Sequence, residues 1–311
     1  MYKVVFVNGG AGRMICALPA LERFIQENPD GYIVTEGGID FVWGHPTLQD
    51  RTFDSNHKGL FENILKDGEI ITTEPYRDND YYNQRISIAQ AFDKQINGNY
   101  REDFDYKPAI FLNKEEDMYG LSVVMHAKAE QKKNKTIVLQ PYGRSSTHEH
   151  DLGLIVDTSS RSLEMEVFNK IVDKLSLKYN LLLMSEHHCE THQNVKVISP
   201  KDLTLRKWCA VVDNADYFIG CDSVGQHFAY SMGTPGSIVL GSTFAVNVSY
   251  PKYFNIIEKQ SVDKRYSPIR ITEYGCYEAD RINDRLMDFS GKELETLIDS
   301  IVKHISKKVG E

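Results

Sequence analysis

The sequence predicts an α/β fold built from two consecutive domains, each a parallel sheet wound with helices. Three observations predict it. Short apolar runs alternate with amphipathic stretches along most of the chain, the pattern of a doubly wound sheet. Two of these runs, "YKVVFVN" at 2–8 and "DYFIGC" at 216–221, lead into turns of small and polar residues that open helices. A polar, lysine-rich segment, "AEQKKNK" at 129–135, separates the two sets and reads as a linker.

In chain order, the strand at 2–8 is followed by the turn "GGAG" and the amphipathic "MICALPALERFIQENP", a strand-turn-helix opening. "GYIVTE" at 31–36 fits the return strand of a right-handed βαβ unit. "FVWGHP" at 41–46 reads as an edge or loop segment ending at Pro46. "EIITTEPY" is the next strand, "QRISIAQAFDKQI" a helix, and "EEDMYGLSVVMHAKAEQ" another helix in which Gly120 is the weak point. After the linker come strand "TIVLQP", helix "EMEVFNKIVDKLSLKY", strand "NLLLMSE", helix "DLTLRKWCAVVDNA", strand "DYFIGC", helix "VGQHFAYSMG" and strand "GSIVLGS". The expected domains are 1–130 and 131–285, with a terminal amphipathic helix within 286–311.

At 311 residues the chain has room for one large or two ordinary domains. Hydrophobic residues at 41% and charged residues at 26% are those of a globular protein and exclude a disordered one. No apolar run approaches the roughly 18 residues of a membrane span, so no integral membrane segment is expected. The opening lacks the basic start and long apolar middle of a signal peptide, and the cytoplasm is the expected compartment. Five scattered cysteines with no C-x-x-C pair fit a reducing compartment. A net charge of −8 opposes broad attraction to a phosphate backbone or an anionic membrane.

The stretch "FIGCDSVGQHFAYSMGTPGSIVLGST" at 218–243 carries the strongest functional signal. Asp222, Ser223 and Gly225 fall where a strand ends and a helix begins, the place where amide groups and the helix dipole favour an anion. Gly225 would admit a phosphate close to backbone, Ser223 would cap the helix or donate to a ligand, and His227 adds a donor. The alternative is a capped turn beside a core histidine. "NGGAGR" has the same geometry, without a complete dinucleotide or Walker fingerprint, and offers Arg13 as an anion contact. Arg144 and Arg161 sit beside a strand end and a helix start, suited to bidentate phosphate contacts or to surface ion pairs.

"SEHHCETH" places His187, His188, Cys189 and His192 together, but in none of the usual zinc spacings. It reads better as a polar loop after a strand, with Glu186 placed to meet a ribose hydroxyl. Glu36, Asp40 and His45 follow the second strand and are acid or base candidates, or else solvated loop residues. No G-x-S-x-G nucleophile elbow is present.

Residues 218–243 closely resemble the D-[TS]-G-x-x-H-x-A-x-x-x-G-x-P segment of heptosyltransferase-like enzymes, the family 9 glycosyltransferases. Asp222, Ser223, His227, Ala229, Gly233 and Pro235 match, while Val224 stands where glycine is usual and Gly225 follows it. "GAGRMICALPALERFIQENP" is similar to the family's G-x-G-D-x-x-x-x-x-P-A-L opening. The resemblance implies a GT-B fold: two Rossmann-like domains with parallel sheets facing a central cleft, and a terminal helix crossing back to the first domain. It implies a nucleoside diphosphate-sugar donor on the second domain, an acceptor on the first near Gly10, Gly12 and Arg13, and no metal or cofactor. Asp222, Ser223, Val224, Gly225 and His227 then belong to the nucleotide-sugar site, with Arg144 and Arg161 assisting at the diphosphate and Glu186 on the ribose.

One position departs from the family. Arg13 stands where the family carries its presumed catalytic aspartate, and an arginine does not normally accept a proton. Glu36 and Asp40 are the replacement candidates. The expected function is sugar transfer from a nucleoside diphosphate to an acceptor hydroxyl, in first place a cell-surface saccharide. The alternatives are a bacteriophage-type enzyme acting on a hydroxylated DNA base and a nucleotide-sugar-binding protein without catalysis. A nicotinamide-dependent dehydrogenase ranks below these because its dinucleotide fingerprint is missing.

Overall fold

The computed structural model describes residues 1–143, 146–149, 154–157, 161–185, 197–198, 203–259 and 287–310. The chain forms two compact units, Met1–Asn113 and Lys114–Glu311. The division falls seventeen residues before the expected 130/131 boundary, because the helix Lys114–Gln131 belongs to the second unit.

The first unit opens with β1 (Lys3–Val7), α1 (Ala11–Glu27) and β2 (Tyr32–Thr35). After a 3-10 turn (Ile39–Val42) come β3 (Thr52–Asp54), β4 (Glu69–Thr72), the short α2 (Asn79–Tyr82) and α3 (Ile88–Asn97). All four strands are parallel, in the order β3-β2-β1-β4. The segment "FVWGHP" is helical turn and loop rather than sheet edge, and the unforeseen β3 takes the edge. Ser87 and Gln90 make a reciprocal capping box that starts α3.

A buried polar network ties α1 to α3. The Arg23 guanidinium bonds Asp93 at 2.9 Å, Glu27 at 2.9 Å and Asn99 through both its carbonyl and its side chain. Asp93 also accepts from Tyr106 at 2.5 Å and Asn97 at 2.7 Å. Both partners of the ion pair are almost fully buried. Their value lies in mutual neutralisation, since either charge alone in that site would be costly.

The second unit begins with α4 (Lys114–Gln131) and β5 (Thr136–Gln140), then a small antiparallel pair, β6 (Thr147–Glu149) and β7 (Leu154–Val156). There follow α5 (Met165–Leu175), β8 (Asn180–Leu183), β9 (Val197–Ile198), α6 (Leu205–Asp213), β10 (Tyr217–Gly220), α7 (Val224–Met232) and β11 (Gly236–Leu240). The short α8 (Ala245–Val248), β12 (Asn255–Glu258) and α9 (Gly291–Val309) complete it. Its main sheet is parallel with order β12-β11-β10-β5-β8-β9. Numbered within the unit and read from the other edge, that is 3-2-1-4-5-6, the order of dinucleotide-binding sheets. The first unit repeats the 3-2-1-4 part.

α4 packs on α6, burying Gly120, Val124 and Ala127, and a methyl group on Gly120 would fall 2.4 Å from the Ala210 carbonyl. The glycine that weakens the helix in isolation therefore sets its docking. Leu297, Ile301 and Ile305 of α9 are buried in the core formed by β5, β8, β10 and α5. The apolar face of the terminal helix is thus part of the second unit's core.

A polar chain also fastens α9. Asn255 donates to Ser237 at 3.1 Å, the Ser237 and Tyr217 hydroxyls lie 2.7 Å apart, and Tyr217 lies 2.5 Å from His304 Nδ1. Burial, with help from Lys308 and Lys307, lowers the His304 pKa.

Two stability tests follow from these networks. Arg23→Met should lower unfolding free energy by about 3–5 kcal/mol in denaturant titration, because Asp93 is left buried without its counter-charge. His304 binds a proton more readily unfolded than folded, so its contribution is intact above about pH 6.5 and is lost as pH falls below that value. Replacing it with Asn should flatten the fall in stability between pH 7 and pH 5 relative to wild type.

Candidate functional site

In a 3-2-1-4 sheet the connections leave the first and fourth strands in opposite directions, opening a crevice at their carboxyl ends. In the second unit these strands are β5 and β10, paired from Ile137 opposite Tyr217 to Gln140 opposite Gly220. Everything that follows Gln140 and Gly220 is therefore delivered to one place.

The Gln140 side chain organises that place. Its Oε1 accepts from the Gly225 amide at 2.8 Å and its Nε2 donates to Ser223 Oγ at 3.1 Å. A methyl group on Gly225 would lie 2.4 Å from Gln140 Oε1 and 2.7 Å from the Phe218 ring. Gly225 is thus required for close packing of α7 on the sheet, and its amide is consumed within the protein. The expectation that it admits a phosphate is corrected on that ground.

The other backbone amides at the start of α7 are only partly paired. The Ser223 amide is bonded to Cys221 and that of Gln226 to Ser223, both through carbonyls. Among the described residues the Val224 amide has no protein acceptor. Ser223 does not cap the helix with its side chain, and with Oγ accepting from Gln140 its O–H is left to donate. Ser223 and Val224 are both partly exposed, whereas Gly225 and Gln226 are buried. The helix dipole adds its positive end here.

Two further predicted residues have clear structural tasks. Asp222 is buried and accepts from the Gln226 side chain at 3.2 Å, tying the turn to the first turn of α7. His227 Nδ1 lies 2.9 Å from the Tyr250 hydroxyl, and Tyr250 stacks on Tyr230 with centroids 3.8 Å apart. Burial drives the His227 pKa down to about 4. At neutral pH the imidazole is uncharged and acts as a dipole.

Arg161 is held at the end of β5. Leu163 donates to the Pro141 carbonyl at 2.8 Å, and Ser162 Oγ accepts from the Gly143 amide at 2.9 Å. Ser162 in turn donates to Asp157 at 2.5 Å. Arg161 lies close enough for its charge to act on the Cys221 thiol, whose pKa burial raises. The turn after β10 and the segment before α5 therefore converge, bringing Arg161 towards Ser223. Arg144 and Glu186 lie outside the described residues, as does the cluster His187, His188, Cys189 and His192. Among the described residues no group of three or more His, Cys, Asp or Glu is placed to hold a metal ion.

The first unit has the corresponding crevice between β1 and β4, furnished with carboxylates. The Gly9 amide donates to Glu36 Oε2 at 3.0 Å, and Glu36 is exposed. Arg13 is only 8% exposed; it bonds Glu74 at 3.1 Å and Asn8 at 2.5 Å, with its guanidinium over Tyr76. That arrangement corrects its expected role as an anion contact. Gly10 is the N-cap of α1 and Gly12 lies in its first turn, while the turn itself needs Gly9, whose φ is +89°. Asp40 sits partly exposed in the 3-10 turn. His45 is buried, with Nδ1 accepting from the Thr47 amide, which places it in the fold of its loop.

Gln140, Ser162, Asp157 and Glu74 were not anticipated from sequence. Gln140 and Glu74 do carry a signal, a polar residue closing or following an apolar strand, but their partners are 61 to 85 residues away.

No family model matches the chain, and no curated protein matches it. Solved structures do. The glycosyl transferase family 9 protein from Veillonella parvula aligns over 99% of this chain and 97% of its own, at 12% identity and a TM-score of 0.61. E. coli ADP-heptose lps heptosyltransferase II aligns over 95% and 98%, at 10% identity and a TM-score of 0.59. The dodecameric iron-containing heptosyltransferase TibC, in complex with ADP-D-beta-D-heptose, aligns over 97% and 76%, at 11% identity and a TM-score of 0.55. Identities this low bear on architecture: the chain has the two-sheet α/β fold of the GT-B glycosyltransferases, in the form taken by the heptosyltransferases of family 9.

Proposed function

We propose that the protein is a glycosyltransferase that moves a sugar from a nucleoside diphosphate to an acceptor hydroxyl, in first place that of a cell-surface saccharide. The observation that carries this reading is the outward-facing donor set at the β5/β10 switch point. A diphosphate needs several N–H or O–H donors and positive charge in one place. The Val224 amide, the Ser223 hydroxyl, the α7 dipole and Arg161 supply that combination, and the structural neighbours include one that holds ADP-D-beta-D-heptose.

In the proposed reaction the acceptor oxygen attacks the anomeric carbon while the bond to the diphosphate oxygen breaks. The nucleoside diphosphate leaves with the bonding electron pair, and its added charge is stabilised by the same donors. The acceptor proton passes to Glu36. Its exposed carboxylate is held through one oxygen by the Gly9 amide, while Glu74 is engaged by Arg13 and Asn8. The reaction as written uses no metal. One observation favours the second reading, a nucleotide-sugar binder without catalysis: the cation at position 13 is sealed in an ion pair and supplies no base.

Calorimetric titration with nucleoside diphosphates and their sugars, followed by assay of nucleoside diphosphate release with a saccharide acceptor panel, separates these readings. Ser223→Ala should weaken donor binding roughly ten- to a hundredfold, the value of a hydrogen bond to a charged group. Glu36→Gln should leave donor binding unchanged and lower turnover by about 10²- to 10⁴-fold. Binding without turnover in wild type would select the non-catalytic reading, and no binding to any donor would defeat both.

A further inference from the structure

The Glu36 carboxylate is the end of a continuous chain of contacts that begins on α3. Gln95 grips the backbone of Glu74 from both sides, accepting from its amide at 2.8 Å and donating to its carbonyl at 2.9 Å. The Glu74 side chain then holds Arg13 through Oε1 at 3.1 Å and Asn8 through Oε2 at 3.4 Å. Arg13 closes the triangle by donating to Asn8 Oδ1 at 2.5 Å.

That triangle bears directly on Gly9. Asn8 is its neighbour in the chain, and the Arg13 Cδ atom lies 2.7 Å from where a Gly9 side chain would begin. The left-handed φ of +89° at Gly9 points its amide at Glu36 Oε2. The Arg13 guanidinium is itself fixed by the rings of Tyr76 and Phe92, with centroids at 4.9 Å and 5.6 Å. A side chain this buried and this fully surrounded has few alternative rotamers, so it passes the position of Glu74 on to the turn.

We propose that Arg13 is a positioning residue: paired with Glu74 and packed over Gly9, it fixes the Gly9 amide against the Glu36 carboxylate. The arginine is then needed at the turn because it links a carboxylate beyond β4 to one beyond β2. This inference rests on the reading of Glu36 as the base for its functional meaning, but the contact chain can be tested without turnover.

The readout is the Gly9 amide in NMR spectra of the full chain. In wild type its proton shift should follow the titration of one carboxylate, and Glu36→Gln should abolish that step. Arg13→Gln, Glu74→Gln and the remote Gln95→Leu should each remove or shrink the step and speed Gly9 hydrogen exchange by about tenfold or more. Arg13→Lys, which keeps the charge, should restore part of both. Unchanged amides in β1 and β2 cores, at Val5 and Ile33, show that the sheet is intact; Gln95→Leu and Arg13→Lys serve if the Gln variants fail that control. A Gly9 amide that behaves as wild type in Arg13→Gln or in Gln95→Leu would overturn the proposal. Failure of the base assignment has a different signature, full turnover in Glu36→Gln with the NMR result standing.

Discussion

One carboxamide sets the geometry of the second unit. Gln140 closes an apolar strand, and both halves of its side chain are spent on the turn that follows β10: one on the Gly225 amide, one on the Ser223 hydroxyl. A buried amide left without partners costs about 1–3 kcal/mol, so the start of α7 is held to the one position that satisfies it. Gly225 then has no room for a side chain, Phe218 packs beneath it, and among the described residues the Val224 amide is left without a protein acceptor. The anion site proposed here depends on which amides Gln140 takes and which it leaves.

The two units share a strand order but differ in the side chains at their switch points. In the second, the groups at the switch point include the Val224 amide, the Ser223 hydroxyl and the start of α7, beside the buried Asp222. In the first they include the carboxylates Glu36 and Glu74, and Arg13 is paired with Glu74. A switch point is an address supplied by topology and carries no activity of its own. The two addresses in this chain are furnished with different side chains.

Much of this was legible before the structure. In the second unit β5, β8, β10 and β11 follow the apolar periodicity, since buried parallel strands read as continuous runs such as "TIVLQ" and "GSIVL", whereas the short β6, β7 and β9 and the strand β12 were not foreseen. The same signal puts Ser223 where a strand gives way to a helix, and the structure has it there as the residue before α7. What escaped was non-local. α4 was assigned to the wrong unit because its periodicity names no partner: Gly120, Val124 and Ala127 are buried while Met118, Leu121 and Met125 are exposed on the same helix. Gln140 and Glu74 draw their meaning from residues on other strands and helices, and Gly225 was read as an opening for ligand when its neighbours make it a packing contact.

The most direct test of the central claim is a crystal structure of the protein with a bound nucleoside diphosphate. The account predicts phosphate oxygens within hydrogen-bond distance of the Val224 amide and the Ser223 hydroxyl, with the Gln140 to Gly225 bond intact. A diphosphate bound elsewhere, or one that displaces Gln140 from the Gly225 amide, would contradict it.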